Sequence, residues 1–435
     1  MKLFGTDGIR GEVGVDLTPE LAFRIGNILG NVLDIQEVLV AKDTRATSDT
    51  LEDALSSGLS SAGVNVLKCG VLPTPSLALL TKVMKTAGVV ISASHNPPQY
   101  NGIKVFLKGY KMNEGKEGEI EKLYEKGFLK YVDFSRIGRV KSYESAQDVY
   151  IGFILHMFEG LDLKDFEIAL DVANGSTVTT APEVFERLGA KVKVYNDEPD
   201  GFNINVGCGS TNPEFLKSVK RKGEIGVTFD GDGDRCIMLD ENGEIVHGDK
   251  ILGILSRYLL DTGRMKKKLV VGTVLTNTGL EVFLENMGVK LLRTKVGDKN
   301  VLEGMLREGS ILGGERSGHV IILDRSTTGD GLITSLEVLS SIVYYRKNLS
   351  ELSLMIEDYP QVSVNVRVKN KEIASRKEVR DIIKEYEEKG FRVVVRPSGT
   401  EPVIRIMVEG KESKAIKDVA GRIAEVIENL KGEGD

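Results

Sequence analysis

The order of apolar and polar positions along the first hundred residues predicts alternating strands and helices. Apolar runs of four to six residues have the length and composition of buried strands. Between two of them, Leu51, Leu55 and Leu59 recur at helical spacing before a terminating Gly63. This rhythm is typical of a parallel α/β sheet. The predicted elements are strands at 38–43, 64–68 and 87–91, a helix within 47–63 and a helix near 75–85.

The same rhythm restarts twice, and then the pattern changes. Strands that enter glycine-containing loops again alternate with short amphipathic helices. Beyond Tyr359-Pro360, longer strands alternate with a charged helix and a closing amphipathic helix, which is typical of an α+β module. The predicted strands lie within 166–176, 191–195, 223–230, 268–279, 289–298, 361–368 and 391–410, and the predicted helices at 181–188, 279–287, 376–389 and 412–430.

These patterns predict an α/β protein with several domains. A chain of 435 residues is too long for one ordinary core. We expect three similar α/β domains with mixed, largely parallel sheets, followed by a smaller C-terminal α+β domain. The predicted boundaries are 1–145, 146–241, 242–358 and 359–435.

Composition and charge restrict the class of protein. Hydrophobic residues make up 41% of the chain and charged residues 28%, which is typical of a soluble globular protein. The net charge of −6 argues against a general nucleic-acid binder, and no run is apolar enough to span a membrane. The N-terminus does not resemble a signal peptide, and three scattered cysteines argue for a reducing compartment. A cytoplasmic protein is therefore expected.

The strand predicted at 87–91 ends in an unusual polar loop. In VVISASHNPPQYNGIKVF, an apolar run stops at Ser94 and His95, followed by Asn-Pro-Pro. Ligands of parallel sheets gather at the carboxyl ends of strands, so both side chains are expected to be presented to a ligand. Lys104, ten residues beyond Ser94, could neutralise a phosphate or move a proton. An ordinary exposed strand lysine is the alternative.

The segment TFDGDGDRC is a candidate metal site. It places Asp230, Asp232 and Asp234 at alternate positions separated by glycine, so that three carboxylates can converge. Hard oxygen ligands suit Mg²⁺ or Ca²⁺. An EF-hand is excluded, because Arg235 occupies the position where that loop needs glycine and the flanks read as strands. The remaining alternative is a solvated acidic turn.

The segment VVRPSGTEPVIR is a candidate phosphate site. Two arginines can bind phosphate through paired hydrogen bonds, two hydroxyls can donate, and a glycine lets backbone amides point at an anion. The segment is not a Walker P-loop, because it lacks the Gly-Lys-Ser/Thr ending of that motif. A hairpin turn with surface arginines is the alternative. The candidate residues are Arg396, Ser398, Gly399, Thr400 and Arg405.

The segment GGERSGH is a weaker candidate. It places Glu315, Ser317 and His319 on a glycine-rich loop between apolar runs, where they could recognise hydroxyl and amine groups of a sugar. A plain turn is the alternative. Of the four histidines, His95 and His319 fall inside candidate motifs; a helix face is predicted for His156 and a strand or loop for His247.

Taken together, these motifs resemble the α-D-phosphohexomutase superfamily over essentially the whole chain. The resemblance implies four domains around a central cleft, three of related α/β design and a fourth of α+β design. The motifs that carry it are FGTDGIRG (4–11), SASHNP (92–97), DGDGDR (230–235), GERSGH (314–319) and RPSGTEP (396–402).

The resemblance also implies a mechanism. A phosphorylated Ser94 would donate its phosphoryl group to a hexose monophosphate, and the resulting hexose 1,6-bisphosphate would turn and return its other phosphate. Mg²⁺ would be held by the three aspartates and a phosphate oxygen on Ser94. Lys104 and His319 are the candidate general acid and base. Both would line the reacting phosphate together with Arg10 and Arg235, and His95 is a further implied catalytic residue. The other implied residues are Glu315 and Ser317 at the sugar, and Arg396, Ser398, Gly399, Thr400 and Arg405 at the second phosphate.

Four segments, of which the first was named above, resemble the phosphoglucosamine mutase branch: 4–11, NVGCGSTNPE (205–214), VGDKNV (296–301) and TTGDG (327–331). The third adds Gly297 and Asp298 to the expected sugar-binding residues. The implied reaction converts glucosamine 6-phosphate to glucosamine 1-phosphate, a precursor of UDP-N-acetylglucosamine. Arg316 and Asn212 depart from that branch, where Asn or Gln and His are usual.

Several alternatives therefore stay open. A phosphomannomutase or phosphoglucomutase would use the same mechanism on another hexose phosphate. A sugar-phosphate-binding protein without turnover and a metal-dependent phosphatase are alternatives of other classes. The expected partner is the hexose phosphate, with no nucleic acid and no membrane, and a homodimer is the candidate assembly.

Overall fold

The computed structural model describes residues 3–5, 7–398 and 402–431. The chain forms two compact units, and each is described by itself. The first consists of residues 1–273 and 289–355, and the second of residues 274–288 and 356–435. Secondary-structure elements are numbered in chain order across both units.

The first sheet joins parallel strands to antiparallel ones. Its order is β1-β2-β6-β5-β3-β4-β8, and β7 pairs with β6. The four strands β5, β3, β4 and β8 run parallel to one another. The sheet continues beyond β5 with β6, β2 and β1, each of which is antiparallel to its neighbours. The three strands predicted here are confirmed. The elements are β1 Phe4–Gly5, β2 Gly8–Glu12, α1 Pro19–Val32, β3 Glu37–Lys42, α2 Ser48–Ser61, β4 Asn65–Val71, α3 Thr74–Met84, β5 Ala87–Ile91, β6 Tyr100–Leu107, β7 Tyr110–Lys111, α4 Glu114–Glu125, a 3₁₀ turn Phe134–Arg136 and β8 Val140–Ser142.

Helices α1 and α2 pack unusually closely. Leu55 and Leu59 are fully buried, as the spacing of the leucines predicts. A β-carbon placed on Gly58 of α2 would lie 2.0 Å from the carbonyl oxygen of Phe23 in α1. Only glycine allows the two backbones to approach this closely. The contact fixes α2 against α1 on one side of the first sheet.

The next two sheets repeat the design of parallel strands followed by antiparallel ones. Their orders are β10-β9-β11-β12-β13 and β15-β14-β16-β17. In each, the first three strands are parallel and the strands beyond are antiparallel. The elements are α5 Ala146–Met157, β9 Glu167–Asp171, α6 Thr180–Arg187, β10 Lys191–Tyr195, a 3₁₀ turn Gly209–Thr211, α7 Pro213–Val219, β11 Ile225–Phe229, β12 Cys236–Leu239, β13 Ile245–Val246, α8 Gly248–Asp261, β14 Leu269–Thr273, α9 Thr278–Asn286, β15 Lys290–Thr294, α10 Asp298–Glu308, β16 Leu312–Gly314, β17 Val320–Ile322, α11 Gly331–Tyr345 and α12 Leu349–Ser353.

The second unit is the predicted α+β module. Its sheet has the antiparallel order β18-β20-β19, and Ile404, Ile406 and Ile423 lie in its core. The fold-class prediction is confirmed, whereas the exact domain boundaries stay predictions. The elements are β18 Gln361–Arg367, a 3₁₀ turn Lys371–Ser375, α13 Lys377–Glu388, β19 Arg392–Pro397, β20 Val403–Glu409 and α14 Ser413–Lys431.

Helix α9 belongs to the second unit, although it connects two strands of the first. The backbone N–H of Thr278, at its first turn, donates to Glu409 Oε1 over 3.1 Å. Asn277 Nδ2 donates to the carbonyl oxygen of Tyr359 over 2.8 Å, and Arg392 Nη1 to that of Thr276 over 2.8 Å. The helix start is thus held by the C-terminal module.

None of the helices in the described ranges combines the length and the apolar content needed to cross a membrane. His156 lies on the exposed side of α5 and His247 directly precedes α8, as predicted.

Candidate active site

Ser94 lies three residues beyond the carboxyl end of β5, and its hydroxyl contacts the acidic loop. Ser94 Oγ donates to Asp230 Oδ2 over 2.7 Å, and His95 Nδ1 lies 3.4 Å from the same hydroxyl. The position beyond the strand is as predicted. Ser94 is only 1% exposed, beneath the loop that carries Asp230.

The acidic loop follows β11 and brings three carboxylates together. Asp230, Asp232 and Asp234 are buried, and one oxygen from each lies within 4.8 Å of the others. The alternative of a solvated turn is therefore wrong. Gly231 is required here, because a β-carbon on it would lie 2.8 Å from the carbonyl oxygen of Ser94.

The electrostatics of the loop fit a metal ion. Burial and the neighbouring carboxylates of Asp234 and Asp232 raise the pKa of Asp230 well above its usual range. Oδ1 of Asp232 and Oδ1 of Asp234 are buried and accept no hydrogen bond within the described ranges. Buried carboxylate oxygens without donors are costly unless a cation binds them. The three residues could therefore hold a divalent ion that prefers oxygen ligands.

Lys104 is a buried cation of this site. Lys104 lies on strand β6, between β5 and β2, and the residue is 1% exposed. Its Nζ lies 2.7 Å from Asp232 Oδ2 and 2.9 Å from Asp7 Oδ2. Burial alone would lower the pKa of Lys104, but these carboxylates outweigh it and hold that pKa above its ordinary value. The alternative of an exposed strand lysine is wrong.

Two arginines add further positive charge beside Ser94. Arg10 on β2 bonds Asp7 and donates to Asn96 Oδ1 over 3.1 Å. Arg235 Nε lies 3.8 Å from Asp234 Oδ1. Burial, together with the nearby guanidinium groups, lowers the pKa of His95 to about 3, so its imidazole is neutral. The environment of Ser94 can thus accommodate an anionic group.

A chain of charges that sequence reasoning missed extends from Asp7 to the third sheet. Lys111 on β7 has its Nζ 2.5 Å from Asp7 Oδ1 and also bonds Asp298. Asp298 Oδ2 lies 3.9 Å from His319 Nε2. His319 is buried, and neither ring nitrogen has a hydrogen-bond partner among the described residues. Asp7 lies inside a recognised motif, whereas nothing in the sequence around Lys111 indicates a site.

The glycine-rich loop after β16 carries the predicted sugar residues. Glu315 Oε1 accepts a hydrogen bond from the backbone N–H of Gly297 over 3.0 Å. This bond brings together two of the predicted sugar-binding residues. Ser317 is exposed on the same loop. Arg316 Nη1 lies 3.4 Å from Asp249 Oδ2, at the first turn of α8.

In the second unit, the predicted phosphate residues lie on one hairpin. Arg396 of β19 is directly opposite Arg405 of β20. Two guanidinium groups on neighbouring strands can bind one phosphate between them. The backbone N–H of Ser398 donates to Val403 over 2.9 Å, and Lys371, which sequence reasoning missed, donates to the carbonyl oxygen of Ser398 over 2.7 Å. Gly399 and Thr400 lie outside the described residues.

Comparison with known domain families covers most of the chain. Residues 1–130, 148–243 and 247–359 match "Phosphoglucomutase/phosphomannomutase, alpha/beta/alpha domain" I, II and III, respectively. Residues 364–426 match the "Phosphoglucomutase/phosphomannomutase, C-terminal domain". The four matches occur in the order that the motifs predicted.

Comparison of the full chain with whole proteins identifies the same family as the domain matches. The chain is 54% identical to a phosphoglucosamine mutase of Thermotoga maritima, covering 99% of this chain and 100% of that one. It is 52% identical to that of Thermotoga neapolitana, covering 98% and 99%. A phosphoglucomutase/phosphomannomutase family protein from Burkholderia thailandensis has the same fold, with a TM-score of 0.83, 24% identity and coverage of 99% and 98%. The chain therefore belongs to the phosphoglucomutase/phosphomannomutase family of isomerases, and within it to the phosphoglucosamine mutases.

Proposed function

We propose that this protein interconverts glucosamine 6-phosphate and glucosamine 1-phosphate, with Ser94 as the carrier of the phosphoryl group. The observation that supports this most directly is the 2.7 Å contact between Ser94 Oγ and Asp230, inside a cluster of three buried carboxylates. A serine hydroxyl at this place can carry a phosphate next to a metal site. The relatives named phosphoglucosamine mutase support the choice of substrate.

The reaction consists of two opposite phosphoryl transfers. In the first, the bond between phosphorus and Ser94 Oγ breaks as a sugar hydroxyl forms the new bond to phosphorus and loses its proton. The product is a hexose 1,6-bisphosphate, which turns within the site. In the second, Ser94 Oγ loses its proton and forms a bond to the phosphorus of the other phosphate, while the bond between that phosphorus and the sugar oxygen breaks and the sugar oxygen takes up a proton. The isomerised monophosphate then leaves and the enzyme is again phosphorylated.

We propose Mg²⁺ as the metal, bound by the three aspartates and a phosphate oxygen on Ser94. The ion would neutralise charge that develops on the transferring group. Lys104 and Arg10 are the cations of this chain that would bind the phosphate oxygens. Both already contact Asp7, which holds them in place.

His319 is our candidate for the proton transfer to and from the sugar hydroxyl. Its ring nitrogens are buried without a hydrogen-bond partner in the described ranges, and Asp298 can stabilise a charged ring. Lys104 is less suited, because its ammonium already contacts Asp232 and Asp7. His95 would contact the phosphorylated Ser94 as a neutral hydrogen-bonding group, and Arg235 would bind the reacting phosphate.

The remaining predicted residues would hold the parts of the substrate that do not react. We propose that Glu315, Ser317 and Asp298 bind the amino sugar, with Gly297 supporting Glu315 through its backbone N–H. The contact of Arg316 with Asp249 explains how this loop accommodates an arginine where the branch usually has Asn or Gln. The second phosphate would be bound by Arg396, Ser398, Gly399, Thr400 and Arg405.

The test is a comparison of kcat/KM for glucosamine 6-phosphate, mannose 1-phosphate and glucose 1-phosphate. Mg²⁺ and a priming hexose 1,6-bisphosphate are present, and Ser94→Ala is the blank. The proposal predicts a clear preference for glucosamine 6-phosphate and no turnover by the blank. A preference for the other hexoses would overturn the substrate, and turnover by Ser94→Ala would overturn the mechanism.

We also propose a homodimer in the cytoplasm. Strand β8 ends the first sheet, and the segment before it exposes Tyr131, Phe134 and Ile137, with Phe134 93% exposed. A second copy could cover this surface. The three cysteines are buried free thiols, which suits a reducing compartment. Sedimentation should show a dimer for the native protein and a shift towards monomer for Phe134→Asp.

A further inference from the structure

The segment that carries Ser94 is held by one buried arginine that lies outside the recognised motifs. The side chain of Arg45, three residues beyond β3, has no exposed surface. Its two terminal nitrogens donate to four carbonyl oxygens of the segment 94–100. The distances are 3.0 Å to Ser94, 2.8 Å to Asn96, 2.5 Å to Pro97 and 2.8 Å to Tyr100.

The arginine is itself fixed by Asp43, which is also fully buried. Asp43 Oδ2 accepts from Arg45 Nε over 2.8 Å and from Ser92 Oγ over 2.7 Å. Ser92 Oγ in turn accepts from the backbone N–H of Ser94 over 2.9 Å. Asp43 Oδ1 accepts from Ser48 Oγ over 2.9 Å, at the start of α2. Both backbone polar groups of Ser94 are thus held through this pair.

The conformation of Ser94 shows why such support is needed. Ser94 has a φ of 52°, in the left-handed region that side chains other than glycine disfavour. An unfavourable backbone conformation persists only where several contacts hold it. Besides Arg45, Asn205 Nδ2 donates to the carbonyl oxygen of Ser94 over 2.9 Å. These contacts direct the hydroxyl towards Asp230.

We infer that Arg45 and Asp43 are positioning residues that hold Ser94 in its strained conformation for phosphoryl transfer. The inference rests on the proposed role of Ser94 as phosphoryl carrier. Neither residue contacts the hydroxyl, so both act through the backbone of the segment 94–100. The effect of losing them should fall on the rate of transfer from Ser94 and much less on substrate binding.

Arg45→Lys is the sharpest variant, because it keeps the charge and the length of the side chain. A lysine ammonium has three donors at one nitrogen, whereas the planar guanidinium reaches the four carbonyl groups and Asp43 at once. Ser92→Ala is a gentler second variant, which removes only the hydroxyl between Asp43 and the Ser94 N–H. Arg264→Lys is the matched control, because Arg264 bonds Asp324 and Glu337 and contacts no part of the segment 94–100 in the described structure.

The experiment measures transfer from phosphorylated Ser94 in a single turnover. Each variant is primed with glucose 1,6-bisphosphate, its phosphoserine is quantified by mass spectrometry, and discharge to glucosamine 6-phosphate is timed below the Tm of every variant. We expect Arg45→Lys to slow discharge per phosphorylated site about tenfold or more, with KM changed by less than about threefold. Ser92→Ala should slow it by a smaller factor, and Arg264→Lys should lower Tm without changing the rate.

Two outcomes would overturn the inference. One is a rate of discharge per phosphorylated site in Arg45→Lys that equals the rate of the native enzyme. If Arg45→Lys does not fold, a native rate in Ser92→Ala would overturn it instead. The other is an equal slowing in Arg264→Lys, which would indicate a general effect of stability. A failure of the proposed function would give other results. In that case, the Ser94→Ala variant would still turn over substrate, or the native enzyme would carry no phosphoserine.

Discussion

Lys104 Nζ lies 2.7 Å from Asp232 Oδ2, and both residues are almost completely buried. The pair joins β6 of the first sheet to the acidic loop of the second. Removing one partner of a buried ion pair leaves the other charge without compensation, which costs more than the intact pair contributes. The contact therefore connects the stability of the protein to the charge balance of its site.

Replacing Lys104 with methionine should reduce both activity and stability. The variant leaves Asp232 and Asp7 without their shared cation and removes a positive charge from the reacting phosphate. We expect kcat to fall by about two orders of magnitude and the free energy of unfolding by about 3 kcal/mol. Turnover assays and urea unfolding measure the two effects. Lys191→Met, which loses only an exposed pair with Glu167, should change neither, and equal losses there would contradict the prediction.

A divalent metal should stabilise the protein through the acidic loop. Mg²⁺ bound there would offset repulsion among three buried carboxylates, so Tm should rise on its addition and fall with a chelator. At a concentration one hundred times Kd, the expected gain is about 2.7 kcal/mol. Asp234→Asn should lose most of the rise, whereas the exposed Asp162→Asn should keep it. An unchanged rise in Asp234→Asn would place the metal elsewhere.

Asp330 should make stability depend on pH. Its carboxylate caps α11 by accepting from the N–H of Ile333 over 2.9 Å and accepts from the Tyr150 hydroxyl over 2.9 Å. Burial raises its pKa from 3.8 to about 6, with a smaller contribution from the Asp234 carboxylate. Between about pH 4 and pH 6 the folded state therefore binds more protons than the unfolded state, and stability falls as pH rises.

Asp330→Asn removes this dependence, because the amide does not titrate; its oxygen can accept from the Ile333 N–H and its NH₂ group can donate to the Tyr150 hydroxyl. The variant should gain stability relative to the native protein between pH 4.5 and pH 8, by up to about 3 kcal/mol for a pKa difference near two units. Urea unfolding in the presence of a chelator at several pH values measures the difference. A gap between the two proteins that does not change with pH would show that Asp330 keeps an ordinary pKa.

Gly58→Ala should weaken the contact between α1 and α2. The added methyl group would meet the carbonyl oxygen of Phe23 at 2.0 Å, so the helices must separate, at a cost of about 2 kcal/mol or more. Gly118→Ala in α4 is the control, because nothing lies within 4 Å of its β-carbon position. Helix propensity predicts a gain of about 0.5 to 1 kcal/mol there. Thermal unfolding of the two variants should therefore shift in opposite directions.

The sequence predicted the strand–helix order and the main site motifs, because both depend on local patterns. Periodicity indicates strands and helices, and alternating aspartates indicate a metal site. It could not predict that Lys104 is buried, since that depends on β6 lying between β5 and β2. Lys111 and Asp298 lie 187 residues apart, so only the folded chain brings them together. Arg45 was missed because, apart from Asp43, the partners of its side chain are backbone carbonyl groups, which give no side-chain signal in the sequence.

The membership of α9 in the second unit has a consequence for how this protein can be shortened or recombined. The chain passes between the two units at 273/274, 288/289 and 355/356, so the C-terminal module is discontinuous in the gene. A stop codon after residue 358 would remove Tyr359 and Glu409 but leave α9, whose first turn they hold. A functional exchange of this module between relatives must therefore carry the codons for residues 274–288 as well.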